Sequence, residues 1–144
     1  MELTVTISRA SVMEEVYRIT GYTGVKNGNM DGLSSTEDDA GVLASYYKEG
    51  TGALSDVVSR VGCLSEENDD SSEFTFTLPA NWNDSVESSL TKAMKQYVVN
   101  YVCAKWFNLM KKDETAYYGG VCDKLAAAVV KYLYERKRPV LSES

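Results

Sequence analysis

Apolar side chains recur at steps of three and four residues over 83–110, which is the clearest pattern in the chain. This spacing places them on one side of a helix, so the stretch predicts a long amphipathic helix. A second run with the same spacing covers 113–136. We therefore predict two helices in an antiparallel hairpin, joined at residues 111–114. The apolar positions are Val86, Leu90, Met94, Tyr97, Val98, Tyr101, Val102, Trp106, Leu109 and Met110, then Tyr118, Val121, Cys122, Leu125, Val129, Tyr132 and Leu133.

Two short segments, 2–7 and 73–78, alternate strictly between apolar and polar residues. In both, a glutamate is followed by apolar, threonine, apolar, threonine and apolar residues. Such alternation is typical of a strand buried on one face. Because an isolated strand needs a partner, we predict that the two segments pair as a small antiparallel sheet whose threonine face and edges stay open to another chain. Each strand precedes helical segments, which gives two β-α-α units, 2–62 and 73–138.

The first half of the chain predicts a short helix followed by a loop. Ser8 can cap a helix that runs from Arg9 to about Thr20, where a Gly-Tyr-Thr-Gly segment ends it. The stretch 21–34 is rich in glycine, asparagine and aspartate and has no apolar period. We predict that it is a mobile surface loop.

A further helix is predicted from Ser35 or Thr36 to Gly62. Three acidic residues near its start lie where the helix dipole favours negative charge. Glycines at positions 50 and 52 interrupt the pattern, so this is either one bent helix or two collinear ones. The segment 65–72 contains four acidic residues and no apolar one, which predicts a solvated connection. The three acids at the helix start are Glu37, Asp38 and Asp39.

The end of the chain leaves two alternatives open. Gly119 and Gly120 fall inside the last helical run. Either the helix begins after this pair, or the glycines let Trp106 or Phe107 of the preceding helix approach its backbone. The basic segment 135–138 lies where the dipole favours cations at the end of a helix, and the proline after it terminates the helix.

These elements predict a mainly α fold, a four- to five-helix bundle with two short strands, 2–7 and 73–78, paired as an antiparallel sheet. The chain has 144 residues, and a chain of this length buries roughly two-thirds of its unfolded surface without disulfides. We therefore predict one domain over 1–144 that contains the mobile loop 21–34 and the acidic connection 65–72.

Charge is divided unevenly along the chain. The net charge is −6, with −9 in residues 1–80 and +3 in residues 81–144. An acidic protein lacks the cationic surface that phosphate binding needs, which argues against nucleic acid as a partner. The division itself has two explanations. The halves form two solvated faces of one fold, or an acidic surface of one copy meets a basic surface of the next in head-to-tail association.

The chain lacks most residues that catalysis and metal binding require. It contains no histidine, which excludes the usual general base and the commonest metal ligand. It also contains no phosphate-binding loop and no calcium loop, so we predict no enzyme activity, cofactor or metal. The three cysteines are Cys63, Cys103 and Cys122. An odd, scattered set predicts reduced thiols in an intracellular protein, and no apolar run predicts a leader or a membrane span.

Tyrosine is unusually frequent, with ten tyrosines against three phenylalanines, and six of the ten lie in the final hairpin. Tyrosine suits protein interfaces because it combines a large contact area with a polar tip. Tyr117 and Tyr134 lie at the edges of the apolar helix face, where we predict contact residues. Together with charged residues at two helix ends they form the predicted protein interface, which is Tyr117, Tyr134, Arg136, Lys137, Arg138, Asp38 and Asp39.

The second half of the chain resembles small neck proteins of tailed phages and prophages. The resemblance rests on Phe74-Thr-Phe-Thr-Leu-Pro-Ala-Asn-Trp82, on Lys105-Trp-Phe107 and on Tyr132-Leu-Tyr-Glu-Arg-Lys-Arg-Pro139, and covers about 73–139. These head–tail connectors are helical bundles with a short strand or two that form a homo-oligomeric ring beneath the portal. The resemblance implies self-association, portal, neck or tail proteins as partners, no catalytic residue, and a location in the host cytoplasm and then in the virion neck. Their mobile ring-contact loop would correspond to 21–34.

Three functions follow from these observations. The first is a virion structural protein that assembles as a head–tail connector. The second is an intracellular adaptor or regulator whose helical groove binds a partner peptide. The third is an enzyme that uses carboxylate or tyrosine chemistry, which would require a buried pocket with at least two carboxylates.

Overall fold

The computed structural model describes residues 1–26, 39–110 and 112–137. The described part is mainly helical with one small antiparallel sheet, which confirms the predicted fold class. The sheet has three strands, so the prediction of two was wrong. In chain order the elements are β1 (Glu2–Ser8), α1 (Arg9–Lys26), α2 (Ala40–Val57), β2 (Gly62–Glu67), β3 (Ser71–Thr77), a 3₁₀ turn (Asp84–Val86), α3 (Glu87–Met110) and α4 (Lys112–Leu133).

The strand order is β1-β3-β2, and both pairs are antiparallel. The predicted pairing of the two alternating segments is confirmed, with Leu3 opposite Phe76 and Val5 opposite Phe74. These four side chains are buried because alternation directs them all to the same face of the sheet.

The predicted acidic connection 65–72 is wrong, because most of it belongs to a β-hairpin. Strand β2 occupies 62–67 and β3 begins at Ser71, with a tight turn between them. The Asn68 side chain closes this turn by accepting hydrogen bonds from the backbone N–H groups of Asp70 and Ser71, at 2.8 and 2.9 Å. The hairpin also has a β-bulge between Leu64 and Glu66. The acidic residues are therefore solvated, but they lie on paired strands.

The apolar face of the sheet packs against α1, α2 and α3, and α4 packs mainly on α3. Helix α3 therefore lies between α4 and the sheet. The core that joins these layers includes Val12, Val16, Leu43, Leu54, Phe74, Phe76, Trp82, Leu90, Met94, Val98, Val102, Phe107, Val129 and Leu133. Within the described residues, no helix is long and apolar enough to cross a membrane.

The predicted helical hairpin is confirmed. The Thr115 hydroxyl donates to the Ala104 carbonyl near one end of the pair, at 3.3 Å. The indole N–H of Trp82 donates to the Tyr132 carbonyl near the other end, at 2.8 Å. This order of contacts makes α3 and α4 antiparallel. The predicted connection 111–114 was too long, because α4 begins at Lys112.

Glycine does not interrupt α1 or α2, so of the two alternatives for Gly50 and Gly52, that of two separate collinear helices is wrong. Helix α2 continues through positions 50 and 52, and α1 continues to Lys26, so the predicted end at Thr20 is wrong. The predicted loop 21–34 therefore begins inside α1, and its remainder lies outside the described residues. In α2 the cause is packing, since the weak helix preference of glycine, about 1 kcal/mol, is small beside the burial of Leu43, Tyr47 and Leu54 on the same helix.

Both predicted alternatives for Gly119 and Gly120 are wrong. Helix α4 runs through the pair without a break. A Cβ atom added at either position would meet nothing within 4 Å, so the glycines do not serve a close helix approach. Instead, the ring of Phe107 stacks on that of Tyr118, with centroids 5.2 Å apart.

The predicted helix starts are partly confirmed. The Ser8 hydroxyl accepts from the backbone N–H of Ser11 at 3.3 Å, and Asn83 caps the 3₁₀ turn that leads into α3. Helix α2 begins at Ala40 and ends at Val57, so its predicted end at Gly62 is wrong. The chain turns after Val57 because the backbone must reverse to enter β2. The predicted caps Ser35 and Thr36 lie outside the described residues.

The end of α4 also differs from the prediction, because the helix stops at Leu133 and does not reach 136. The segment 134–137 turns back over the start of the hairpin. There the N–H of Asn83 donates to the Glu135 carbonyl at 2.9 Å, and the N–H of Lys137 donates to the Asn81 carbonyl at 2.7 Å. Arg136 pairs with Trp82 in an isolated β-bridge. These backbone bonds replace those that a longer helix would have made.

Candidate interaction surface

One side of α4 is exposed over most of its length. The helix packs on α3 through Tyr118, Cys122, Val129 and Leu133, and the opposite side is exposed and mixes apolar, small and charged residues. Three large side chains on it stand out, namely Tyr117 at 65% exposure, Tyr134 at 44% and Val130 at 36%. We call this surface the outer face of α4, and it consists of Tyr117, Gly120, Asp123, Lys124, Ala127, Val130, Lys131 and Tyr134.

Tyrosines stand at both ends of the outer face of α4. At a rise of 1.5 Å per residue, Tyr117 and Tyr134 are separated by roughly 25 Å along the helix. The ring of Tyr117 meets that of Tyr118 edge to face at 5.1 Å, and the guanidinium group of Arg136 lies 5.9 Å from the centre of the Tyr134 ring. These contacts hold both rings at the surface. Tyr134 also borders a cleft of about 250 Å³ with Val130 and the turn after α2.

The structure supports the predicted exposure of Tyr117 and Tyr134, but it does not gather all the predicted interface residues in one place. Arg136 is partly engaged within the chain, since its guanidinium donates to the carbonyls of Leu133 and Glu135, at 3.1 and 3.3 Å. Lys137 lies 3.6 Å from the Asp84 carboxylate in an exposed ion pair.

Asp39 lies apart from the other predicted interface residues. It occupies the N-cap position of α2 without a side-chain capping bond, whereas the cleft beside Tyr134 lies at the other end of that helix. Asp38 and Arg138 lie outside the described residues. Among the described members, the acidic Asp39 and the basic Arg136 and Lys137 are thus not neighbours within one chain.

A second uncovered surface is the face of the sheet that points away from the helices. It has a hydroxyl-rich centre and an acidic border, and no cation belongs to it among the described strands. Thr4 and Cys63 lie on either side of Thr75 in the central row. We call this surface the outer face of the sheet, and it consists of Thr4, Thr6, Cys63, Ser65, Thr75, Glu2, Glu66 and Glu73.

The sequence did not reveal the most unusual feature of this face. Glu66 and Glu73 lie directly opposite each other on β2 and β3, where like charges repel. Alternation predicted that Glu73 points outward. Its pairing with Glu66 depends on the bulge at Ser65, and that residue is held by hydrogen bonds to the Thr75 hydroxyl and the Glu73 carbonyl, at 2.8 and 3.1 Å.

The two edges of the sheet are not equivalent. On β2, the outward N–H of Leu64 donates to the Ser55 hydroxyl of α2 at 3.2 Å, and the bulge disturbs regular pairing. On β1, Met1 exchanges backbone hydrogen bonds with Leu78, so by alternation Leu3, Val5 and Ile7 also bond to β3. The N–H and C=O groups of Thr4 and Thr6 therefore point away from β3. Among the described residues, β1 therefore has the open edge that the sequence predicted. The edge of β2 is partly covered by α2.

A buried polar network joins the hairpin to α2, and sequence reasoning missed it. The Glu67 carboxylate accepts from the hydroxyls of Thr51 and Ser72, at 2.6 and 2.7 Å. The Tyr47 hydroxyl is 2.7 Å from that of Ser72. Burial raises the pKa of Tyr47 although its bond to Ser72 acts in the opposite direction. The network fixes β2 against the helix layer and thereby holds Glu66 on the outer face of the sheet.

Two grooves of the described residues are lined mainly by amide, apolar and tyrosine side chains, whereas a third, about 380 Å³ beside the start of α1, is bordered by Arg9, Asp69 and Asp70, of which Asp69 is almost fully exposed. One of these two grooves, about 560 Å³, lies between α1, α3 and α4 and includes Gln96, Asn100 and Tyr117. Another, beside Tyr97 and Asp123, contains one carboxylate. Burial raises the pKa of Tyr97 to about 12, which keeps its hydroxyl protonated. No group of three or more metal-ligating side chains occurs within 1–26, 39–110 and 112–137.

The three cysteines differ sharply in their surroundings. Cys103 and Cys122 are buried between α3 and α4, and burial raises the pKa of both thiols, to about 12 for Cys122. The Cys122 thiol donates to the Tyr97 carbonyl at 3.5 Å. Cys63 is exposed on the outer face of the sheet. The apolar surroundings of Cys103 and Cys122 in the sequence predict a packing role for these two, and both are buried.

We expect one thiol, that of Cys63, to react with a maleimide in the native protein at pH 7–8, and three to react after unfolding. The thiolate is the reactive form, and raised pKa values leave Cys103 and Cys122 protonated as well as shielded. Counting adducts on the intact protein by mass spectrometry measures this. The variant Cys63→Ser should give no native adduct, and rapid labelling of Cys122 in it would contradict the packing described.

Comparison with known proteins gives no match, either to a protein-family model or to a curated protein or a solved structure.

Proposed function

We propose that the protein is a non-enzymatic structural protein that works by associating with further copies of itself, as a head–tail connector in the neck of a tailed phage. The observation that carries the proposal is the presence of two uncovered surfaces of complementary character. The outer face of α4 offers tyrosines, two lysines and one aspartate, and the outer face of the sheet offers hydroxyls and three glutamates. The resemblance of 73–139 to neck proteins supports the same assignment.

The position of the two surfaces favours assembly over a single closed pair. Because α3 separates α4 from the sheet, the two outer faces point in different directions from the core. Surfaces arranged in this way join copies head to tail, which makes rings where the rotation closes and filaments where it does not. A neck component requires this kind of contact, since a ring must bind like copies at its sides and other proteins above and below.

The proposal predicts a closed homo-oligomer, formed by the chain alone or on addition of the portal and neck proteins from the same genome. Light scattering with size separation, over a range of protein concentrations, measures the mass of the assembly. Electron microscopy of the largest species then shows whether it is a ring. A chain that stays monomeric alone and also fails to bind those portal and neck proteins would overturn the proposal.

A second candidate function is an adaptor that binds a partner peptide, and the groove between α1, α3 and α4 favours it. Tyr117 forms an exposed wall of this groove, while Gln96 and Asn100 provide amide groups deeper inside. Such a groove can receive an apolar side chain and hydrogen-bond a peptide backbone. Affinity capture distinguishes the two functions, because a connector returns virion proteins whereas an adaptor returns cellular proteins.

A further inference from the structure

The outer face of the sheet carries a pair of like charges that no cation of the described residues neutralises. Glu66 and Glu73 lie opposite each other across two strands. Within the described residues, neither carboxylate forms an ion pair. Like charges in this position are unfavourable in an isolated sheet. A cation brought by another molecule would relieve the repulsion, so the pair favours a basic partner.

The outer face of α4 offers two cations, Lys124 and Lys131, beside one carboxylate, Asp123. Lys124 and Lys131 are exposed and seven residues apart, which places them on one side of the helix about 10 Å from each other. In the described part of the chain, neither forms an ion pair. The small residues Gly120 and Ala127 lie between the bulky ends of this face, and they allow the helix to approach a flat surface closely.

The two faces also agree in length. Strands β1 and β3 each have seven residues, which corresponds to about 23 Å at the usual rise per residue. The tyrosines that bracket the outer face of α4 are separated by a similar distance, roughly 25 Å. A helix that lies along the strands would therefore cover the hydroxyl-rich centre, with Tyr117 and Tyr134 near the two ends of the sheet.

We propose that the outer face of α4 in one copy docks on the outer face of the sheet in the next copy, with Lys124 and Lys131 beside Glu66 and Glu73. The inference rests on the proposed self-association and adds which surfaces carry it. The contact is heterologous, because each copy contributes a different surface. Each copy therefore binds two neighbours, and Cys63 of one copy lies under α4 of the next.

Cysteine cross-linking tests this geometry directly. The variant Ala127→Cys places a second accessible thiol at the centre of the outer face of α4. A short bis-maleimide should then join Cys63 of one copy to the cysteine at position 127 of another, giving a ladder of dimers, trimers and larger products. Mass spectrometry of the digested bands identifies the linked peptides. Burial keeps Cys103 and Cys122 out of the reaction.

Two controls separate the proposed contact from other kinds. Ala127→Cys combined with Cys63→Ser should lose the ladder, and Lys92→Cys, at an exposed site on α3, should not form it. A product that stops at dimers and links position 127 to itself would overturn the inference in favour of a two-fold contact between α4 helices. If sizing shows assembly but the 63–127 link is absent, the inference is wrong and the proposed function stands.

Charge reversal gives a second, independent measurement. Lys124→Glu with Lys131→Glu should weaken self-association about tenfold at low salt, and so should Glu66→Lys with Glu73→Lys. The matched control Lys48→Glu with Lys92→Glu changes the net charge equally at other exposed sites and should leave association unchanged. Mixing the first variant with the second should restore binding, because reversed lysine and glutamate positions complement each other. Equal weakening by the control pair, or no rescue on mixing, would overturn the inference.

Discussion

Replacing Trp82 by alanine is expected to lower the free energy of unfolding by about 3–5 kcal/mol, the usual range for deleting a buried aromatic side chain. Trp82 is fully buried, and its indole N–H donates to the Tyr132 carbonyl in the last turn of α4. It also forms the β-bridge with Arg136 that returns the chain to the start of the hairpin. Urea denaturation followed by circular dichroism measures the change. Since domains of this size have roughly 5–15 kcal/mol in total, the variant should be close to unfolding at 37 °C.

The variant Trp82→Phe separates packing from hydrogen bonding at this position. Phenylalanine keeps most of the apolar contact but cannot donate to Tyr132, so the loss should be smaller, about 1–2 kcal/mol, from the unpaired carbonyl and a small cavity. Equal losses for the two variants would show that the hydrogen bond, and not the buried volume, determines the stability of this end of the hairpin.

Replacing Gly62 by alanine is expected to destabilise the protein by about 3 kcal/mol, because the added methyl group has no room. A Cβ atom at this position would lie 2.7 Å from the Thr75 carbonyl oxygen and would overlap the Phe76 ring. The carbonyl belongs to the central strand and cannot move without disturbing the pairing of β3 with both neighbours. Thermal or urea unfolding of the variant measures the loss.

Gly120→Ala is the matched control, because it adds the same methyl group where nothing lies within 4 Å. In the interior of α4 alanine is favoured over glycine, so this variant should be more stable than the native protein by up to about 1 kcal/mol. A similar loss of stability in both variants would show that neither effect arises from the local packing described.

The sequence was sufficient for the elements whose apolar residues repeat with a clear period. The α3–α4 hairpin and the pairing of β1 with β3 follow from spacing and alternation alone. Strand β2 could not be found in this way, because it is an edge strand whose inward apolar residue, Leu64, is followed at once by polar and acidic residues. Its register, including the bulge, is set by pairing with β3 and by the Glu67 network.

Helix ends were predicted less well, because they depend on contacts between distant residues. The helix preference of 134–137 is overridden by backbone bonds to 81–83, about 50 residues earlier in the chain. At Gly119 and Gly120 the error was the opposite one, because one of the two predictions began the helix after the pair whereas α4 continues through it. The apolar residues on either side of the pair hold the helix against α3.

For the candidate site, composition indicated Tyr117 and Tyr134 as contact residues, and both are exposed. Composition did not indicate that Glu66 and Glu73 lie side by side, because this depends on a two-strand register with a bulge. Nor did it indicate that Lys124 and Lys131 face outward, since this is decided by which side of α4 packs on α3. Charge along the chain indicated an acidic and a basic half, but not which surfaces carry these charges.

The separation of β1 from β3 in the chain has a consequence for synthesis on the ribosome. Leu3 and its partner Phe76 are about 70 residues apart. At translation rates of about 5–20 residues per second, β1 leaves the exit tunnel several seconds before its partner strand exists. During this interval β1 has no partner strand, and the helical hairpin after residue 83 can begin to form only after all three strands have been synthesised.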